Sequence, residues 1–253
     1  MPVTGHQENS KVLNMPFGPA EGGPNRAGIR TQHSEFADLR DTGEQPACRH
    51  VNAHDPGPMQ VHIRCRTTVS LQRLVPAFPM TVTAAAGELT LTRRGFTRVL
   101  QGGQRIHVPA FEQVDLLLAG GLFRPAGCVL SLGDEAAASA GMDTGLQQLR
   151  AVISGTIFQN PQESWNAHLV AQMLQTTPGR VRTALFAQGV AFTQLCRTQR
   201  LMRALFDAFL LDVSVADLKK RVGWADDKDL EAPFHDWFGV SLDTVARLRE
   251  AAL

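Results

Sequence analysis

LVAQMLQTTPGRVRTALFAQG, residues 169–189, reads as two helices joined by a tight turn. Val181, Ala184 and Leu185 repeat at the three-and-four spacing of one helix face. Thr177 is a good N-cap residue, and Pro178 fits the first helical position, where a missing N–H is harmless. Ala171 is small enough to let the second helix cross close to the first. With the apolar face turned inward, Arg180, Arg182 and Thr183 face outward near the N-terminal end of the second helix. In a helix-turn-helix, that end meets base edges when the helix lies in a major groove. A guanidinium suits the place because it bonds guanine at two points or clamps a phosphate.

The surroundings extend this pattern. The helical signal starts at Leu146, Leu149, Val152 and Ile153 and continues through WNAHLVAQML (165–174). A long helix is expected over AFTQLCRTQRLMRALFDAFL (191–210), with shorter ones over SVADLKKRV (214–222) and DTVARLRE (243–250). About seven helices with short connections make an all-α half. The chain as a whole carries a net charge of +1, but unevenly. Residues 161–206 hold Arg180, Arg182, Arg197, Arg200 and Arg203 against Glu163 alone, whereas residues 207–253 hold six cations and ten carboxylates. Phosphate contacts are therefore to be sought in the first of these segments.

A second such unit is outlined by GWADDKDLEAPFHDWFG (223–239). Gly223 and Trp224 mark its turn, and Phe234, Trp237, Phe238 and Gly239 mark the helix that follows. The cations of a groove-facing helix are missing. Asp226, Asp227, Asp229, Glu231 and Asp236 stand against Lys228 alone, and Pro233 is expected to kink the helix by removing an N–H. Several carboxylates together repel a phosphate backbone. This unit reads as a structural remnant or a protein-facing surface, with Lys228 its single expected contact to nucleic acid.

Before the helices the texture is different. Residues 1–58 are rich in Gly, Pro, Asn, Asp and His without sustained period, and read as a flexible arm. From Met59 the run MQVHIRCR alternates like a half-buried strand. Short β-prone pieces follow at 81–86, 88–92, 96–100, 105–109, 114–119 and 128–132, separated by turn signals. Many short strands at near-regular spacing indicate a small sandwich or barrel. GELTLTRRGFTRVLQGGQRIHVPAFEQ (87–113) resembles the first half of a cupin barrel, but offers only His107 where a metal-dependent cupin needs several ligands. Cys48, His50, His54, His62 and Cys65 are zinc-ligand types within a short span. His62 and Cys65, however, fall on opposite faces of an alternating strand, and no metal is expected. No Ser or Cys with a paired acid stands near His168 or His235, and no Gly-rich phosphate loop is present. The chain is expected to be neither an enzyme nor a cofactor carrier. Four scattered cysteines, the polar N-terminus and the lack of a long apolar run lead to the expectation of a cytoplasmic protein with no membrane partner.

The helical half, about residues 143–253, resembles the AraC/XylS family of transcription regulators, which carry two helix-turn-helix units joined by a long helix. The resemblance rests on Ala171 and Leu174, on TPGRVRTALFAQG (177–189), AFTQL (191–195) and RLMRA (200–204), and on Val215, Gly223, Trp224, Phe234, Trp237, Phe238 and Gly239. Trp165 before the first unit and QGVAF (188–192) after it most resemble a branch that includes activators of virulence and type III secretion genes. Lys219, Glu231, Ala232, Leu242 and Thr183 depart from the family pattern. The fold implied is α+β, a cupin-like N-terminal β-barrel followed by an all-α tandem helix-turn-helix domain. Its parts are an arm (1–58), an effector or dimerisation domain (59–142) and a DNA-binding domain (143–253). The implied function is sequence-specific DNA binding in transcription, with contacts expected at Thr177, Arg180, Arg182, Thr183 and Lys228. Promoter DNA is the implied partner; a homodimer through the N-terminal domain and RNA polymerase or a co-regulator are further candidates. The alternative reading is an interaction module that uses a degenerate form of this fold to bind another protein.

Overall fold

The structure is a computed structural model and describes residues 59–133 and 145–249. Eight strands come first: β1 (Met59–Cys65), β2 (Thr68–Leu74), β3 (Met80–Ala86), β4 (Glu88–Arg93), β5 (Phe96–Gln101), β6 (Arg105–Val108), β7 (Val114–Ala119) and β8 (Ala126–Leu132). They form two four-stranded antiparallel sheets in the orders β1-β8-β3-β6 and β2-β7-β4-β5. That is the strand order of a jelly roll, the architecture of cupins. The alternation seen in the sequence decides which side chains enter the barrel. Val61, Ile63 and Cys65 point in and His62 and Arg64 point out, and Met80, Val82, Leu116 and Leu130 complete a filled aliphatic interior. His107 is exposed, with its ring Nδ1 2.9 Å from the Thr81 hydroxyl. Among the described residues no three His, Cys, Asp or Glu side chains lie close enough to hold a metal. Cys48, His50, His54 and the 1–58 arm lie outside the described residues.

β2 has no counterpart in the sequence reading. Its Val69 and Leu71 alternate inward, but the register with β7 shifts between Leu71 and Leu74, and Arg73 takes a left-handed φ of 52° there. The bulge breaks the period that would have revealed the strand.

Seven helices follow: α1 (Gly145–Gln159), α2 (Ala167–Met173), α3 (Pro178–Phe186), α4 (Phe192–Leu210), α5 (Val215–Arg221), α6 (Glu231–Phe238) and α7 (Leu242–Leu248). None of the described helices is long and apolar enough to cross a membrane. The barrel and the helices belong to one compact unit. A single core runs from the barrel interior through Phe158, Leu201, Leu205 and Phe206 to Leu218, Phe234, Phe238 and Val245 of the second helix-turn-helix. A smaller, separate cluster serves the first: Ile153, Ile157, Val170, Ala171, Val181, Leu185, Leu195 and Cys196.

Two features knit the shared core. Phe158 of α1 meets Phe78 edge-on at 5.9 Å and Phe206 of α4 at 6.0 Å, so one ring bridges barrel and helices. Asp207, 2% exposed, takes Arg203 at 2.8 Å and Arg221 at 3.4 Å, tying α4 to α5. A carboxylate buried this far is tolerated only with such partners. Burial also pushes the thiol of Cys128 up to about 12, so it stays neutral inside the barrel. Phe158→Ala is expected to lower stability by about 3–5 kcal/mol. Urea unfolding read by tryptophan fluorescence, whose three indoles all lie in the helical half of the chain, and by circular dichroism should then shift together. A loss well under 1 kcal/mol, or transitions that separate, would contradict the shared core.

Candidate nucleic-acid interface

α2 and α3 form the first helix-turn-helix. The Asn166 side chain starts α2 by accepting from the N–H groups of His168 (3.0 Å) and Leu169 (2.9 Å). Ala171 is buried at the crossing, and its carbonyl accepts from the N–H of Thr176 at 2.9 Å. Thr177 caps α3 as expected: its hydroxyl oxygen accepts from the Arg180 N–H at 3.3 Å, and Pro178 takes the first helical position. Val181 and Leu185 are fully buried, which leaves Arg180, Arg182 and Thr183 exposed on the far side.

The outward residues separate into two sets. Arg182, Thr183 and Phe186 of α3 line an open groove of about 1120 Å³ between the two units, together with Arg197 of α4 and Trp224 and Lys228 from the turn before α6. Arg180 lies on the other flank of α3, beside Gln148, Leu149 and Val152 of α1. Three of the expected contact residues, Arg182, Thr183 and Lys228, thus meet in one groove; Arg180 and Thr177 stay at the start of α3. Among the described residues no carboxylate lies within ion-pair distance of Arg180, Arg182, Arg197 or Lys228. Cys196 also lines the groove, but burial pushes its thiol up to about 11 against the lowering pull of Arg200, so it is no nucleophile at neutral pH. The groove thus carries three exposed cations with no ion-pair partner among the described residues, against one lining carboxylate, Asp229, which is taken up by the backbone N–H groups at the start of α6; that balance is the chemistry of anion binding.

The other cations of this region are engaged structurally. Arg200 donates to the carbonyls of Pro161 (3.0 Å) and Glu163 (2.8 Å), tying α4 to the segment before α2. Arg203 bonds Asp207 and the Phe158 carbonyl. Arg203 and Asp207 stand four residues apart on α4, a spacing open to sequence reading, whereas the carbonyl partners of Arg200 lie nearly 40 positions away and could not be read from it.

The second unit corrects two expectations. Pro233 does not kink α6. The helix starts only at Glu231, so Pro233 falls in its first turn, where a backbone N–H has no intrahelical partner to lose. Asp226, Asp227 and Asp229 do not lie on the helix either but in the turn before it, and the Asp229 carboxylate accepts from the N–H groups of Glu231 (2.9 Å) and Ala232 (3.2 Å). Lys219, at the helix crossing, turns its ammonium into that turn and donates to the Asp226 carbonyl at 2.6 Å. Gly223, at φ 63°, could carry no side chain: a Cβ there would sit 2.4 Å from the Pro161 carbonyl. The outward residues of α6 are Glu231, Ala232, His235 and Asp236.

The C-terminal end of α6 is fastened to the barrel at the β2 bulge. The Trp237 indole N–H donates to the Arg73 carbonyl at 3.0 Å. The Arg73 guanidinium lies 5.2 Å over the Trp237 ring and donates to the Asp236 carbonyl. Gly239, at φ 73°, abuts Gln72. Arg73 is itself fixed by its backbone N–H, which donates to Asp115 at 2.6 Å. The sequence reading missed this contact, and it missed Phe186, although a residue three and four positions after Thr183 and Arg182 must share their face.

No family model matches this sequence, and no curated protein does. Solved structures do. ToxT from Vibrio cholerae superposes with a TM-score of 0.58 at 10% identity over 76% of this chain and 99% of that one. ToxT from Vibrio cholerae O395 gives 0.57 at 11% identity over 77% and 99%. Wild-type ToxT from strain SCE256, with an unsaturated fatty acid bound, gives 0.57 at 9% identity over 77% and 96%. The chain therefore has the fold of ToxT, here a jelly-roll β domain followed by tandem helix-turn-helix units, the order of parts expected from the sequence.

Proposed function

We propose that this protein is a DNA-binding transcription regulator of the AraC type, and that it reads promoter DNA through its first helix-turn-helix. The observation that carries this reading is the convergence of Arg182, Thr183, Arg197 and Lys228, all exposed, on one groove beside α3. Arg182 is the base-reading group, since its fork matches the two acceptors of guanine in the major groove. Arg197 and Lys228 flank it as phosphate contacts, with Arg180 and Thr177 at the helix start. The second unit is a degenerate reader: α6 offers Glu231 and Asp236 outward and is anchored to β2. In this reading the filled barrel braces that unit and supplies a surface through which two copies pair, and pairing raises the avidity of a one-unit reader. Control of virulence or type III secretion genes is a finer reading that rests on the sequence around Trp165 and residues 188–192. The interaction-module alternative gives the free groove cations no role and is not favoured.

Fluorescence anisotropy with duplexes selected from a random pool tests the proposal. Arg182→Ala should weaken the selected site about tenfold or more while leaving non-specific binding within about threefold. Arg197→Ala should weaken all sequences alike and lower the slope of log affinity against log salt by about 1. Binding that ignores both substitutions would overturn the reading.

Neutralising the acidic turn supplies a test of opposite sign. Asp226→Asn with Glu231→Gln should leave affinity unchanged or raise it, because both carboxylates repel the backbone. A tenfold loss would make the second unit a genuine base reader.

A further inference from the structure

We propose that Phe186 reads the C5-methyl group of a thymine in the major groove, an inference that rests on the DNA-binding role of α3 given above. The ring of Phe186 is 79% exposed at the C-terminal end of α3, on the rim of the groove that holds Arg182 and Thr183. Val181 and Leu185 fix which side of α3 is inward. From that orientation, Arg182, Thr183 and Phe186 fall within about 100° of one another around the helix axis, one contiguous outward stripe. Phe186 lies about 4.5–6 Å further along the axis than the other two, which spans one to two base steps of about 3.4 Å.

The chemistry selects the target. A phenyl ring donates and accepts no conventional hydrogen bond, so on a base-facing surface it gains only by removing another apolar group from water. Among the major-groove edges of the four bases, thymine presents the largest such group, its C5-methyl, where cytosine has only a C5–H. Guanine, adenine and cytosine offer polar atoms that a phenyl ring would strip of water without replacement. Arg182 and Phe186 therefore form a two-part reader, with a guanine followed within one or two steps by a thymine. Thr183 flanks Phe186 on the side away from Arg182, and its methyl adds apolar surface to the same stripe.

The test uses the full chain and the duplex recovered by selection, with each thymine replaced singly by deoxyuridine, which lacks the methyl. One position should lose about fourfold in affinity, the worth of one buried methyl-sized group. Phe186→Ala should bind the thymine and uracil forms of that position equally, whereas Phe186→Leu should keep the preference. A side chain this exposed carries little of the fold, so both variants should unfold at the wild-type midpoint. If uracil is tolerated everywhere, or the loss persists in Phe186→Ala, the inference fails while DNA reading by α3 stands. If no duplex shows salt-dependent binding, both fail together.

Discussion

The docking of α6 on the bulge of β2 is the constraint around which the molecule is arranged. Arg73 can present its carbonyl to the Trp237 indole and its guanidinium to the Trp237 ring and the Asp236 carbonyl because the bulge turns its backbone out of the strand register. Phe234 and Phe238, on the buried side of the same helix, pack into the core that the barrel shares. The second helix-turn-helix is thereby part of the β domain's packing, while the first keeps a small core of its own. A unit with its own core and exposed cations suits groove binding. A unit fused to a barrel, with carboxylates outward, suits bracing.

The same logic sorts the arginines. A guanidinium beside a buried carboxylate or aimed at backbone carbonyls already has strong partners, and leaving them for a phosphate would strand those groups away from water. Arg203 and Arg221 serve Asp207, and Arg200 serves the carbonyls of Pro161 and Glu163. Arg182 and Arg197 have no such commitment and open on the groove, where Lys228 joins them from across the unit boundary. The positive character of the groove follows from three side chains, on α3, on α4 and in the turn before α6, not from the net charge of the chain.

Much of this was legible in the sequence, and the exceptions share a cause. Strict alternation in MQVHIRCR and three-and-four spacing in RVRTALF dictate which side chains are buried, so the barrel strands and α3 could be read directly. Thr177 and Pro178 announced a helix start through local chemistry alone. β2 was hidden because Gln72 and Arg73 interrupt its period for a contact made with residues more than 160 positions away. Pro233 misled because its effect depends on where α6 begins, and Asp229 sets that start by capping. Apart from Arg203, whose partner Asp207 stands four residues on, which arginines are free is a tertiary fact, invisible until their partners are in place. Phe186 was legible from spacing, since the outward stripe of α3 contains it; its significance emerged only once the ring proved to be uncovered.

The central claim is that one unit, α2 and α3, meets the duplex while the other stays with the barrel. Hydroxyl-radical footprinting of the full chain on its selected duplex measures this most directly, because each inserted helix protects one stretch of backbone. Protection confined to about one helical turn of 10 base pairs per bound copy is the predicted result. Two protected turns per copy, with the second lost on removal of the Glu231 side chain, would place α6 in the DNA and contradict the account.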